Sequence, residues 1–178
     1  MIGSAAHLQG LAKTLRDDEN SRNSFIAMLL SIQGFHVKDQ TRWGTSASGI
    51  STGIPDIKIE SPDKEPHALI EAFILKGLDH TVIDSHLKRL FSYDPHGLGR
   101  NFILVYVSAD DFSGLWQEYL KHLPGIDFEY KLLEKKPGSQ SPIEEEPTGY
   151  ANIKLARVRH CRAGEIVEVC HLFVDMKQ

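Results

Sequence analysis

The sequence predicts a mixed α/β (α+β) domain with one mixed β-sheet and helices against it. Three observations carry this. Segments with apolar residues at helical spacing alternate along the chain with segments at strand spacing. The run 102–107 (Phe-Ile-Leu-Val-Tyr-Val) is continuously apolar, as expected of a strand covered on both faces. The chain has 178 residues, enough to bury about two-thirds of its unfolded surface without a metal or disulfide staple.

The elements follow in order. Residues 5–16 read as a helix. Asp17, Asp18, Glu19, Asn20 and Ser21 offer caps and early acidic charge for a second helix, which runs to about Gln33 and stops at Gly34. Its apolar residues Phe25, Ile26, Met28, Leu29, Leu30 and Ile32 cover most of its surface, so it is expected to be well buried. Strands follow at 35–40, 54–60 and 67–75, the last two joined by the turn Ser61 to Pro66. Ile83, Leu87, Leu90 and Phe91 mark a helix, and 102–107 the next strand. Residues 115–123 read as a helix and 127–136 as a short strand. From the second helix onward the order is α-β-β-β-α-β-α-β, then a β-hairpin over 151–176 turning at Ala163-Gly164. That turn sets Arg159 opposite Glu168, Cys161 opposite Ile166 and Cys170 opposite Arg157. The whole chain, 1–178, reads as one domain, with a core over about 17–136 and a loop or linker over 137–150.

Composition excludes several classes. There are 24 acidic and 20 basic residues, a net charge of -4, which excludes a histone-like polycation but not a basic groove. Two cysteines make no disulfide framework. No apolar run reaches the roughly 18 residues of a membrane span, and the first residues lack the features of a signal peptide. A cytoplasmic protein with no membrane contact is the expectation. The nine histidines show no HExxH or HxxxH spacing.

Two acids stand out. Glu71 interrupts the apolar run 68–75, where a lone carboxylate is costly to bury. Asp56 lies in the preceding half-buried strand. If the two strands form an antiparallel hairpin closed by 61–66, Glu60 faces His67, Lys58 faces Leu69 and Asp56 faces Glu71. Facing carboxylates repel unless a cation bridges them, and Mg²⁺ takes oxygen ligands of this kind. Solvation at a strand end, or pairing with Arg or Lys, is the alternative.

Gly53-Ile54-Pro55-Asp56 followed by Ile70-Glu71-Ala72 on the next strand resembles the PD-(D/E)XK nuclease superfamily, over about residues 17–110. The resemblance implies an α-β-β-β-α-β restriction-endonuclease-like core and a Mg²⁺ (or Mn²⁺) site held by Asp56, Glu71 and the backbone carbonyl of Ala72. It also implies a contribution from Glu19 near the start of the first core helix. Where the family carries a lysine, two residues after the glutamate, this chain has Phe73. Lys58, on the same strand face as Asp56, is the favoured substitute, with Lys76, Lys38 or Gln40 as alternatives.

For the nucleic acid, the small, hydroxyl-rich segment 43–53 with Arg42 at its head supplies Arg42, Ser46 and Ser48 as phosphate contacts. His86, Arg89 and Tyr93 recur on one face of the helix after Glu71, and His86 and Arg89 are further candidates. The implied activity is metal-dependent hydrolysis of DNA, in restriction or antiviral defence. The expected partner is a larger protein such as an ATPase or sensor, with a homodimer needed to cut both strands at once. The alternative is a catalytically inactive nuclease-fold module for protein interaction or nucleic-acid binding.

Overall fold

Eight strands form one sheet in a computed structural model that describes residues 1–14, 18–39, 54–128, 131–132 and 142–177. The chain runs α1 (Ile2–Gly10), α2 (Glu19–Ile32), β1 (His36–Asp39), β2 (Ile57–Glu60), β3 (Pro66–Leu75), α3 (His80–Ser92), β4 (Arg100–Val107) and α4 (Phe112–His122). It continues through β5 (Lys131–Leu132), β6 (Ile143–Glu146), β7 (Ile153–Arg162) and β8 (Glu165–Asp175). The strand order is β1-β2-β3-β4-β8-β7-β5, and β6 also pairs with β7. The β3–β4 and β4–β8 pairs are parallel and the others antiparallel. This is the mixed α/β architecture that the patterning predicts.

Local chemistry sets the element ends. The Asp18 side chain accepts a hydrogen bond from the Ser21 N–H at 2.8 Å and caps α2. At the other end Gly34 adopts φ 92°, and the Phe35 N–H reaches back to the Leu30 carbonyl at 3.1 Å. This is the left-handed helix stop that glycine favours. Asp79 and Asp111 cap α3 and α4 in the same way as Asp18. Between β2 and β3 the Ser61 N–H bonds the Glu65 carbonyl at 2.9 Å, closing the short turn.

The sheet separates two apolar layers. On one side Leu69, Phe73, Ile103 and Val105 pack with Ile83, Leu87 and Leu90 of α3 and Trp116 and Tyr119 of α4. On the other, Ile57, Ile70, Ala72, Leu104 and Tyr106 pack with Ala5 and Leu8 of α1 and Ile26 and Leu30 of α2. β4 thus has apolar cover on both faces, which accounts for its uninterrupted apolar sequence. The β7–β8 register matches the expectation, with Arg159↔Glu168, Cys161↔Ile166 and Arg157↔Cys170. Ala163 (φ 51°) and Gly164 (φ 89°) make the turn.

Four expectations change. The first helix lies over Ile2–Gly10 rather than 5–16. Helix α2 is not buried all round: Met28 and Ile32 are exposed, while Arg22 and Asn23 are buried. A helix lying on one sheet face buries one stripe, and here that stripe takes polar residues because Tyr106 donates its hydroxyl proton to Asn23 Oδ1 (2.7 Å). The Arg22 guanidinium sits 5.5 Å from the Tyr106 ring centre. Strand β2 begins at Ile57, not Ile54. Finally, the segment read as a loop holds β6. Its acidic run is stabilised by partners: Glu144 bonds Arg159 at 2.9 Å, Glu146 bonds Arg157 at 2.9 Å, and Glu145 accepts from the Trp116 indole at 2.7 Å.

Among the described residues no helix is long and apolar enough to cross a membrane.

Candidate active site

Side chains alternate along a strand, so Leu69, Glu71 and Phe73 project to the same side of β3. Leu69 and Phe73 pack there with Leu87 of α3, which places Glu71 under that helix. The neighbouring strand brings Asp56. The register Ile57↔Ile70 and Lys58↔Leu69 is the one expected, and one step beyond it sets Asp56 beside Glu71. The strand pairing itself ends at Ile57, and Asp56 is instead fixed by its carboxylate. Asp56 Oδ2 accepts a hydrogen bond from the Ala72 N–H at 2.7 Å. Ala72, expected to offer its carbonyl, thus also holds Asp56 through its amide. At the other end of the hairpin the register shifts, and Glu60 pairs with Pro66 rather than His67. A bulge between Ile59 and Glu60 accommodates the turn there.

Glu71 is 2% exposed. Two groups from α3 reach it. His86 Nδ1 lies 2.8 Å from Glu71 Oε1, and Arg89 Nε lies 3.3 Å from the same oxygen. The His86 ring stacks on Phe73 with centroids 4.5 Å apart, and the Arg89 guanidinium packs against that ring. Phe73, where the resembled family has lysine, therefore serves as the platform that holds His86 against Glu71. An aromatic residue two positions after the acid, facing a helix with His and Arg on one face, was the available sequence signal for this.

The electrostatics follow from crowding and burial. Burial pushes the Glu71 carboxyl up to about 7, only partly offset by Arg89 and by a hydrogen bond with Asp56. Burial, followed by the neighbouring Glu71 charge, pushes Asp56 up to about 6, against the Ala72 amide, His86 and Arg89. The two carboxyls share a site and titrate as a pair. Glu19, in the first turn of α2, is also raised, first by burial and then by Asp56. Glu19 is thus within electrostatic reach of Asp56 and Glu71. Burial and Arg89 lower His86 to about 4, so its contact with Glu71 is a hydrogen bond rather than an ion pair at neutral pH.

The lysines are elsewhere. Lys58 Nζ is 3.0 Å from Glu60 Oε1, and Lys38 Nζ is 2.9 Å from that same oxygen. Lys58 does share the Asp56 face, but its ammonium is engaged by Glu60. Lys76 is exposed beyond the end of β3. Arg42, Ser46, Ser48 and Gln40 lie outside the described residues.

Among the described residues no three His, Cys, Asp or Glu side chains are gathered as a metal-holding set. Mg²⁺ does not require one: it commonly takes one or two carboxylates and completes its shell with water and phosphate oxygens. The Asp56–Glu71 pair has that donor chemistry. Burial is the main cause of its raised proton affinity, joined at Asp56 by the charge of Glu71. The residues fit a hard divalent ion. No family model, curated protein or solved structure matches this chain.

Proposed function

We propose that this protein is a metal-dependent nuclease that hydrolyses DNA phosphodiester bonds. The observation that carries the reading is the convergence of Asp56 and Glu71 from adjacent strands onto one sheet face, both held at raised proton affinity. Three antiparallel strands followed by an α3 crossover to the parallel strand β4 add support, because that is the order of the resembled nuclease core. Restriction or antiviral defence in the cytoplasm, beside a larger partner protein, is the setting in which such a module works.

Asp56 and Glu71 would hold Mg²⁺ or Mn²⁺, which supplies Lewis-acid charge and lowers the pKa of water at the phosphate. The Ala72 amide fixes the Asp56 carboxylate, so its free oxygen keeps one orientation. His86 fixes Glu71 in the same manner. Glu19 adds a third carboxylate able to orient water by accepting its proton in a hydrogen bond.

The test is cleavage of supercoiled plasmid with Mg²⁺, with Mn²⁺ and with chelator, beside Asp56→Ala and Glu71→Ala. Metal-dependent nicking is expected, reduced by about 1,000-fold or more in both variants. Calorimetric titration with Mn²⁺ should show binding by the wild type and none by either variant. Absence of both cleavage and Mn²⁺ binding in the wild type overturns the reading and favours a non-enzymatic interaction module.

A further inference from the structure

The site as described lacks a lysine, yet phosphodiester hydrolysis concentrates negative charge on the non-bridging oxygens. Every lysine expected to answer that need is accounted for. Phe73 occupies the family position and is 1% exposed under His86. Lys58 and Lys38 share Glu60, a buried acid whose ionisation depends on them. Lys76 is exposed beyond the strand's end.

A different cation is present. Among the described residues Arg89 is the guanidinium that reaches this cluster, and its charge acts on Glu19, Asp56 and Glu71. Its Nε faces Glu71 Oε1 at 3.3 Å while the side chain remains 45% exposed. An arginine fork has five donors, so one edge can stay on Glu71 while another takes phosphate oxygens. A lysine ammonium has no such second edge.

We propose that Arg89 replaces the missing lysine, bridging Glu71 to the scissile phosphate with its Nη donors on the non-bridging oxygens. This deepens the nuclease reading and rests on it. In the step itself a water oxygen bonds to phosphorus, one P–O ester bond breaks, the water loses a proton and the leaving oxygen gains one. Arg89 exchanges no proton. It stabilises the charge that the phosphoryl oxygens acquire, as a fixed donor at the developing anion. The helix after the glutamate strand thus supplies what the strand lacks, and Phe73 supports the His86 ring against which Arg89 packs.

The experiment compares wild type with Arg89→Ala, Arg89→Lys and Lys76→Ala. The assays are plasmid cleavage in Mn²⁺, Mn²⁺ calorimetry, and anisotropy of a labelled DNA duplex in chelator across a salt series. Arg89→Ala should cut about 100-fold more slowly. It should bind Mn²⁺ at least as tightly as wild type, because a cation competing for Glu71 is gone. Its log-affinity against log-salt slope for DNA should be shallower by about 1. Arg89→Lys should fall between, and Lys76→Ala should match wild type. Cleavage and salt slope unchanged in Arg89→Ala overturn the proposal while leaving the nuclease reading intact. A wild type that neither binds Mn²⁺ nor cleaves overturns that reading, and this inference with it.

Discussion

Glu60 and Glu71 are buried carboxylates on neighbouring strands, and they hold their protons in opposite ways. Burial works to raise both. For Glu60, hydrogen bonds from Lys38 and Lys58 overcome burial and bring the carboxyl below its ordinary range. For Glu71, one arginine and a hydrogen bond do not overcome it, and the carboxyl rises to about 7. The difference separates an acid whose charge the fold compensates from one whose charge it does not, and the second is the proposed metal ligand. Glu60 is given two cations and joins β1 to β2. Among the described residues Glu71 has Asp56 and Glu19 within electrostatic reach and Arg89 against it, and burial prevails over that single guanidinium.

The largest test of this contrast is activity. Glu71→Gln should reduce metal-dependent cleavage by about 1,000-fold, whereas Glu60→Gln should stay within a few-fold of wild type. An equal loss in both would collapse the distinction.

Next in size is the pH dependence of stability, read from urea midpoints in chelator. Glu71 has a raised folded pKa, so its contribution is fully present below about 4.5 and is lost as pH rises through about 7. Asp56 adds to the same slope. The buried histidines His86 and His171, lowered to about 4 and about 3, contribute the opposite slope up to about pH 6.5, so the acid's share is read as a difference between variants. Relative to metal-free Glu71→Gln, metal-free wild type should lose on the order of 2 kcal/mol between pH 5 and pH 8. Added Mn²⁺ should shrink that difference. Glu60 runs the other way. Its contribution is present above about 4.5 and lost as pH falls through its depressed value. Glu60→Gln should thus cost about 1 kcal/mol at pH 7 and converge on wild type in acid. A difference between wild type and Glu71→Gln that does not fall from pH 5 to pH 8 would contradict the assignment.

The smallest effect concerns the platform. Phe73→Leu should cost about 1 kcal/mol, and it should let water reach the His86 ring. Because burial is the main cause of the lowered His86 pKa, the value seen by NMR should climb from about 4 toward 6.5. An unmoved titration would mean that Phe73 does not shield His86.

The legible part of the site was the part fixed by short-range geometry. A six-residue reversal, Ser61 to Pro66, set Lys58 opposite Leu69 and brought Asp56 to Glu71. Ala163-Gly164 did the same for β7 and β8. Helical spacing put His86 and Arg89 on one face, which was read as a phosphate surface. That this face meets Glu71 depended on how α3 crosses the sheet, which no local pattern encodes. Lys58 was legible as to side but not as to partner. Glu60 lies two residues on, on the same face, and takes the ammonium through a contact that also draws Lys38 from β1. The acidic run of β6 reads as part of a loop or linker because its partners Arg157, Arg159 and Trp116 are distant in sequence. Arg22 and Asn23 were missed in the buried stripe of α2 because their compensation, Tyr106, comes from β4.

The central place of β8 has a consequence for the order of synthesis. Strand β4, against which the Glu71 strand is zipped in parallel, has β8 as its other neighbour, and β8 comes from residues 165–175. Such long-range parallel pairing forms late, after loop closure has been paid. The acids of the site are therefore translated well before the sheet that aligns them can close. A nascent chain carries Asp56 and Glu71, the acids of the proposed site, without the means to align them until nearly the whole domain has left the ribosome.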